Sequence, residues 1–112
     1  MTVDNKELLK LVDMIVKKVL PQKIVLFGSR AKDTARDNSD YDIFVLVKNA
    51  RNKRKIEKEL YYLMATESIG IPVDLIVETV KNYNRLKDNH YLIYNQVAKF
   101  GKALYECETN TH

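Results

Sequence analysis

The sequence predicts a mixed α/β fold, a small β-sheet of about four strands with helices packed on it, and three observations predict it. Short apolar runs rich in branched residues alternate with longer segments of helical hydrophobic spacing. Glycine and proline stand between these segments rather than inside them. Hydrophobic residues make up 46% of 112 residues and charged residues 30%, a balance that supplies one core of ordinary size and a solvated surface.

Asp4 followed by Glu7 predicts a helix cap with its capping box. Leu8, Val12, Ile15 and Val19 then recur at helical spacing, with Leu9, Leu11 and Val16 widening the stripe, and Pro21 ends the helix. Residues 23–27 (Lys-Ile-Val-Leu-Phe) read as a buried strand closed by Gly28. Residues 30–34 fit one helical turn, and residues 37–40 (Asp-Asn-Ser-Asp) carry turn chemistry. A second strand covers 41–47. A helix is expected over 52–67, with Ile56, Leu60, Leu63 and Met64 as its apolar stripe and Gly70 and Pro72 behind it. Residues 72–77 form a third apolar strand with one carboxylate inside, Asp74. Helices follow over 79–86 and 91–100, the latter using Leu92, Ile93, Val97 and Phe100, with Gly101 at its C-cap. Residues 102–106 add an edge strand. No repeat or linker interrupts the series, so residues 1–107 are expected to form a single domain, with 108–112 as a frayed tail.

Composition excludes several classes. No apolar run reaches the ~20 residues that span a bilayer, and the first residues do not read as a secretory signal. A single cysteine, Cys107, and two histidines, His90 and His112, rule out a disulfide scaffold and a Cys/His zinc site. A cytoplasmic location and no membrane partner are expected. The net charge of +4 is modest, but it is unevenly spread. Between Lys48 and Lys58 stand six basic residues (Lys48, Arg51, Lys53, Arg54, Lys55, Lys58) and one acid, Glu57. Between Asp33 and Asp42 stand four aspartates (Asp33, Asp37, Asp40, Asp42) and Arg36. An acidic patch near a basic one suits a divalent metal beside a polyanion.

The candidate chemistry lies in two places. Asp40 and Asp42 bracket Tyr41 at the entrance to a strand, where residues two apart share a face. Two carboxylates so placed can grip a pair of divalent cations. Asp74, set among Val73, Leu75, Ile76 and Val77, needs a partner or a metal if its strand is buried, and joins the other two if its strand lies beside theirs. Gly28 and Ser29 end the first strand, where glycine admits close backbone approach and a following turn aims N–H groups at an anion. Donors for phosphates and carboxylates for bridging ions describe a metal–triphosphate site. Each part alone has a plainer reading: a helix cap for Gly28-Ser29, turn aspartates for Asp40 and Asp42, a carboxylate paired with Arg30 or Arg36 for Asp74. The basic stretch reads first as the solvated face of a helix. Seven tyrosines, among them Tyr61, Tyr62, Tyr91 and Tyr94, suit a core rim or a homo- or hetero-oligomer contact.

Gly28-Ser29, ten intervening residues and Asp40-Tyr41-Asp42 together resemble the G-S-x10-D-x-D pattern of the DNA polymerase β nucleotidyltransferase superfamily. The surroundings, Phe27-Gly-Ser-Arg-Ala31 and Ala35-Arg-Asp-Asn-Ser-Asp-Tyr-Asp-Ile43, are similar to the minimal nucleotidyltransferases, the MNT proteins. The resemblance covers most of the chain and implies the polymerase-β-like core. It implies that Asp40, Asp42 and Asp74 bind two Mg2+ ions, with Asp74 helping to deprotonate an acceptor hydroxyl. It implies that Gly28, Ser29 and Arg30 hold the phosphates of a nucleoside triphosphate, ATP above all. In-line attack on the α-phosphorus would release pyrophosphate. Two departures accompany it: Asp33 stands where the family often has glycine, and the chain has no room for the second domain of larger members. MNT proteins pair with HEPN-family toxins as antitoxins and transfer AMP to a tyrosine of the toxin, which makes a protein hydroxyl the expected acceptor and leaves nucleic acid unexpected as a direct substrate. A non-catalytic antitoxin that masks a HEPN ribonuclease by contact is the alternative, and a nucleic-acid-binding module using the 48–58 helix is a third reading.

Overall fold

The computed structural model describes residues 5–32 and 39–107. In chain order the elements are α1 (Lys6–Val19), β1 (Lys23–Phe27), β2 (Tyr41–Val47), α2 (Lys53–Thr66), β3 (Val73–Thr79), α3 (Val80–Leu86), α4 (Ile93–Phe100) and β4 (Lys102–Glu106). The strands form one mixed sheet in the order β3-β2-β1-β4. β1 is antiparallel to both β2 and β4, while β2 and β3 run parallel, with α2 as their crossover. The expected α/β class with four strands is what the chain adopts.

Alternation along the strands divides the core in two. Ile24, Leu26, Ile43, Val45, Val47, Leu75 and Val77 point to one face, where Leu8, Leu11, Met14 and Ile15 of α1 and Leu60 and Met64 of α2 cover them. Val25, Phe27, Phe44 and Leu46 point to the other, covered by α3 and α4 through Tyr83, Tyr94 and Val97. There the Phe44 ring meets Phe27, Tyr83 and Tyr94 at centroid distances of 6.1, 5.5 and 5.3 Å. β2 is central and buried on both faces, which is why it reads as an unbroken apolar run.

Local details differ from the sequence expectation in ways that packing explains. The α1 cap is Asn5, whose side chain accepts from the N–H groups of Glu7 and Leu8; Asp4 lies outside the described residues. Glu7 closes no capping box and accepts instead from the Gly70 N–H at 2.6 Å, tying α1 to the loop before β3. Leu9 is exposed rather than part of the stripe, and Leu20, left-handed with φ 54°, ends the helix before Pro21 does. Of the 91–100 pattern only Val97 is buried: the helix starts at Ile93, and Ile93 and Phe100 face solvent. Gly101 adopts an extended conformation, and its lack of a side chain matters because a Cβ there would strike Val25 and the Val97 carbonyl. The acidic stretch with Asp33, Arg36 and Asp37, and residues 108–112, lie outside the described residues.

β3 is an edge strand, and α2 closes its edge. Outward-facing N–H groups of an edge strand invite another chain unless something pairs with them. Here the Leu75 N–H donates to the Tyr61 hydroxyl at 2.8 Å and the Val77 N–H to Glu57 Oε2 at 3.0 Å. Lys53, one turn earlier, binds Glu78 Oε2 at 2.8 Å, and the same oxygen accepts from the Thr79 N–H at 2.9 Å. Lys53, Glu57 and Tyr61 recur every four residues, so one row of α2 runs antiparallel along β3.

Candidate active site

The register of the sheet sets the acids side by side. Asp42 of β2 pairs with Phe27 on one side and with Asp74 of β3 on the other. Both aspartates share the parity of Phe44 and Ile76 and therefore stand on the α3–α4 face, beyond the reach of the residues that cover Phe44. Asp40 precedes β2 by one residue and is exposed, as is Asp74; Asp42 is half-buried.

Gly28 completes this end. It has φ +74°, in the left-handed region, and a Cβ there would collide with the Asp42 carboxylate. The bare backbone thus lies directly against the acid. After it the chain turns helically: the Ala31 and Lys32 N–H groups donate to the Gly28 carbonyl at 3.1 and 3.3 Å. Gly28, Ser29 and the acids at 42 and 74 therefore occupy one end of the sheet, where β1 finishes and β2 and β3 start.

Arg30 is anchored rather than extended. Its guanidinium donates to the Ser39 carbonyl through Nε at 3.3 Å and Nη2 at 2.8 Å, and lies 4.1 Å from the centroid of the Tyr41 ring. Tyr41 in turn accepts from Asn5 Nδ2 at 2.7 Å. This chain of contacts fixes the segment on both sides of Asp40.

Asp74 corrects the sequence reasoning on one point. It is not an embedded charge in need of a cation, because an edge strand leaves it in water. Its partner is the Tyr61 hydroxyl, 3.4 Å from Oδ1. That hydroxyl accepts the Leu75 N–H, so its own proton is directed to the carboxylate. By sequence Tyr61 suits a core rim or an oligomer contact; its spacing of four from Glu57 on the flank of an apolar stripe is the signal of its contact with β3.

Electrostatics distinguish Asp42. Burial pushes its carboxyl above the ordinary range, and the neighbouring carboxylates of Asp74 and then Asp40 push it further. Among the described residues, no three acid, histidine or cysteine side chains converge closely enough to enclose one ion. Asp74 is turned to the Tyr61 hydroxyl of α2. The donor chemistry still fits a hard divalent cation: carboxylate oxygens at one end of the sheet, with Asp40 and Asp74 raising the cost of charge on Asp42.

Comparison with known proteins follows the same line. Residues 9–110 match the family described as polymerase beta, nucleotidyltransferase. No curated protein sequence matches. Among solved structures, a toxin–antitoxin crystal structure with AMP-PNP is 27% identical with a TM-score of 0.60, the alignment covering 95% of this chain and 76% of that one. A mutant form of the MntA–HpeT toxin–antitoxin is 26% identical with a TM-score of 0.59, over 96% of this chain and 76% of that one. A Sulfolobus solfataricus protein solved as a candidate nucleotidyltransferase shares the fold at 21% identity and a TM-score of 0.57, over 90% of this chain and 78% of that one. No helix among the described residues is long and apolar enough to cross a membrane. With residues 9–110 covered by the family, this chain belongs to the polymerase β nucleotidyltransferase family, and its likeness to toxin–antitoxin structures fits the minimal, MNT branch.

Proposed function

We propose that this chain transfers AMP from ATP to a hydroxyl of a HEPN-family toxin and thereby acts as its antitoxin. The observation that carries the reading is the packing of Gly28 against Asp42, with Asp74 in register beside it. Gly28 and Ser29 would receive the phosphates through backbone N–H groups beside the Asp42 carboxylate, with Arg30 anchored to the Ser39 carbonyl next to them. Asp40, Asp42 and Asp74 would hold two Mg2+ ions, which when bound neutralise charge on the entering and leaving oxygens. Asp74, exposed and hydrogen-bonded by Tyr61, is the carboxylate best placed to take the acceptor's proton. Burial and two acidic neighbours keep Asp42 short of a cation, so binding a metal relieves a cost the fold already carries. The AMP-PNP in a similar toxin–antitoxin structure supports ATP as the nucleotide.

The test combines the protein with its authentic partner, magnesium and ATP labelled at either phosphate. Label at the α-phosphate should reach the partner and label at the γ-phosphate should not. Absence of transfer, with neutralisation of the toxin preserved in an Asp40→Asn, Asp42→Asn variant, would replace catalysis by masking through contact.

A further inference from the structure

At the end of the sheet opposite the acids, Lys48, Arg51 and Lys81, with Asn49, Ala50 and Thr79, line a pocket of about 330 Å³. It lies where β2 and β3 finish and α2 begins. From there Arg54, Lys55 and Lys58 continue along the exposed side of α2. Arg54, Lys58 and Tyr62 follow at intervals of four, one helix row about 12 Å long. Tyr62 ends the row with 69% of its surface exposed.

Nothing acidic among the described residues answers these cations. The ion pairs there are Lys17 with Asp13 and Lys53 with Glu78. Glu57, the acid within the run, is turned to the Val77 N–H, and Lys53 is turned inward to Glu78. Arg54 and Lys58 therefore make no ion pair among the described residues, although Glu59 lies on the flank of the row one turn after Lys55. A folded surface keeps such a row at a cost in self-repulsion that a polyanion removes.

The arrangement suits one kind of polyanion best. Lysine and arginine at intervals of one helical turn meet successive phosphates, and an exposed aromatic ring at the end of the row offers a stacking face for a base. An acidic polypeptide would satisfy the charges but leave the ring without a partner of its kind. We propose that the Lys48–Lys81 pocket and the Arg54–Lys58–Tyr62 row bind single-stranded nucleic acid, as a ligand rather than as the substrate of transfer. Because α2 runs back along β3, the Tyr62 end of the row adjoins Tyr61 and Asp74. A bound strand would pass from the basic pocket towards the carboxylates.

The measurement is fluorescence anisotropy of a labelled oligouridylate of about 12 nucleotides, titrated with the full-length protein across a salt series. With four phosphate contacts the log–log salt slope should be about −3. Lys48→Gln with Lys81→Gln should flatten the slope by roughly 1.4. Arg51→Glu with Arg54→Glu should abolish binding, and Tyr62→Ala should weaken it about tenfold. The two pairs are independent, so a folding defect in one leaves the other as the test. Failure of the oligonucleotide to bind, indifference to both pairs, or equal displacement by polyglutamate at matched charge would overturn the proposal, the last in favour of an acidic protein partner.

Discussion

Asp42 of β2 and Glu78 of β3 stand on the same sheet face, both held partly out of water, yet their neighbours move their carboxyls in opposite directions. Glu78 is 1% exposed beneath α3 and α4. It receives Lys53, the Tyr94 hydroxyl and the Thr79 N–H. Burial alone would raise its pKa, but these partners outweigh burial and bring it down to about 2. The cost reappears on Tyr94, whose hydroxyl burial and Glu78 together push upward. Asp42 is less buried but has other carboxylates as neighbours, and its pKa rises. One end of the face is a satisfied structural network. The other gathers mutually repelling carboxylates, which suits the cation site we propose there.

The largest effect should come from the open end. Asp40→Asn with Asp42→Asn should reduce nucleotidyl transfer on the order of a thousandfold, read from α-phosphate label on the partner. The same variant should unfold no earlier than the parent, because it removes repelling charges. A drop in its unfolding midpoint would erase the contrast between the two ends.

At the closed end, Lys53→Met should cost about 3 kcal/mol in urea unfolding, because it strips the cation from a buried carboxylate. Adding Glu78→Gln should restore part of that loss. The pH dependence is a milder form of the same test. Glu78 has a depressed pKa in the folded state, so its contribution is complete above about 4.5 and fades as pH falls towards about 2. Unfolding free energy should fall by roughly 2–3 kcal/mol across that window, and a Glu78→Gln variant should show a flatter profile.

The smallest effect sharpens the boundary between the ends. Tyr61→Phe removes the hydroxyl that satisfies the Leu75 N–H and touches Asp74. A loss of about 1 kcal/mol is expected from the edge of β3. If Tyr61 also positions Asp74, the pH profile of transfer shifts in the variant while ATP affinity does not. A stability change without that shift would leave Tyr61 as an edge cap alone.

Much of this was legible in the residues, and the exceptions share a cause. The bounds of β1 and β2 follow the apolar runs residue for residue, since a strand buried on both faces must be apolar throughout, while β4 keeps its expected bounds as a half-exposed edge strand. Helix ends were less legible: Asn5 and Asp4 are chemically equivalent caps, and Ile93 and Phe100 fit a helical stripe that the neighbouring helices do not cover. Asp74 was found for a reason the structure does not uphold, since its strand is at the edge and wet. Glu78 was not singled out, because a glutamate at the end of an apolar strand looks like an exit to solvent. Nothing local revealed that α2 would bring Lys53 back to it.

Spacing along the chain determined the class of fold, the acids at 40, 42 and 74, and the Gly28-Ser29 loop, because periodicity and motif distance are properties of neighbours in sequence. The pairing of Asp42 with Asp74, the capping of β3 by α2 and the opposite pKa shifts of Asp42 and Glu78 belong to the tertiary structure. They depend on which strands become neighbours and which helix covers them, and burial and charge separation exist only once those contacts have formed.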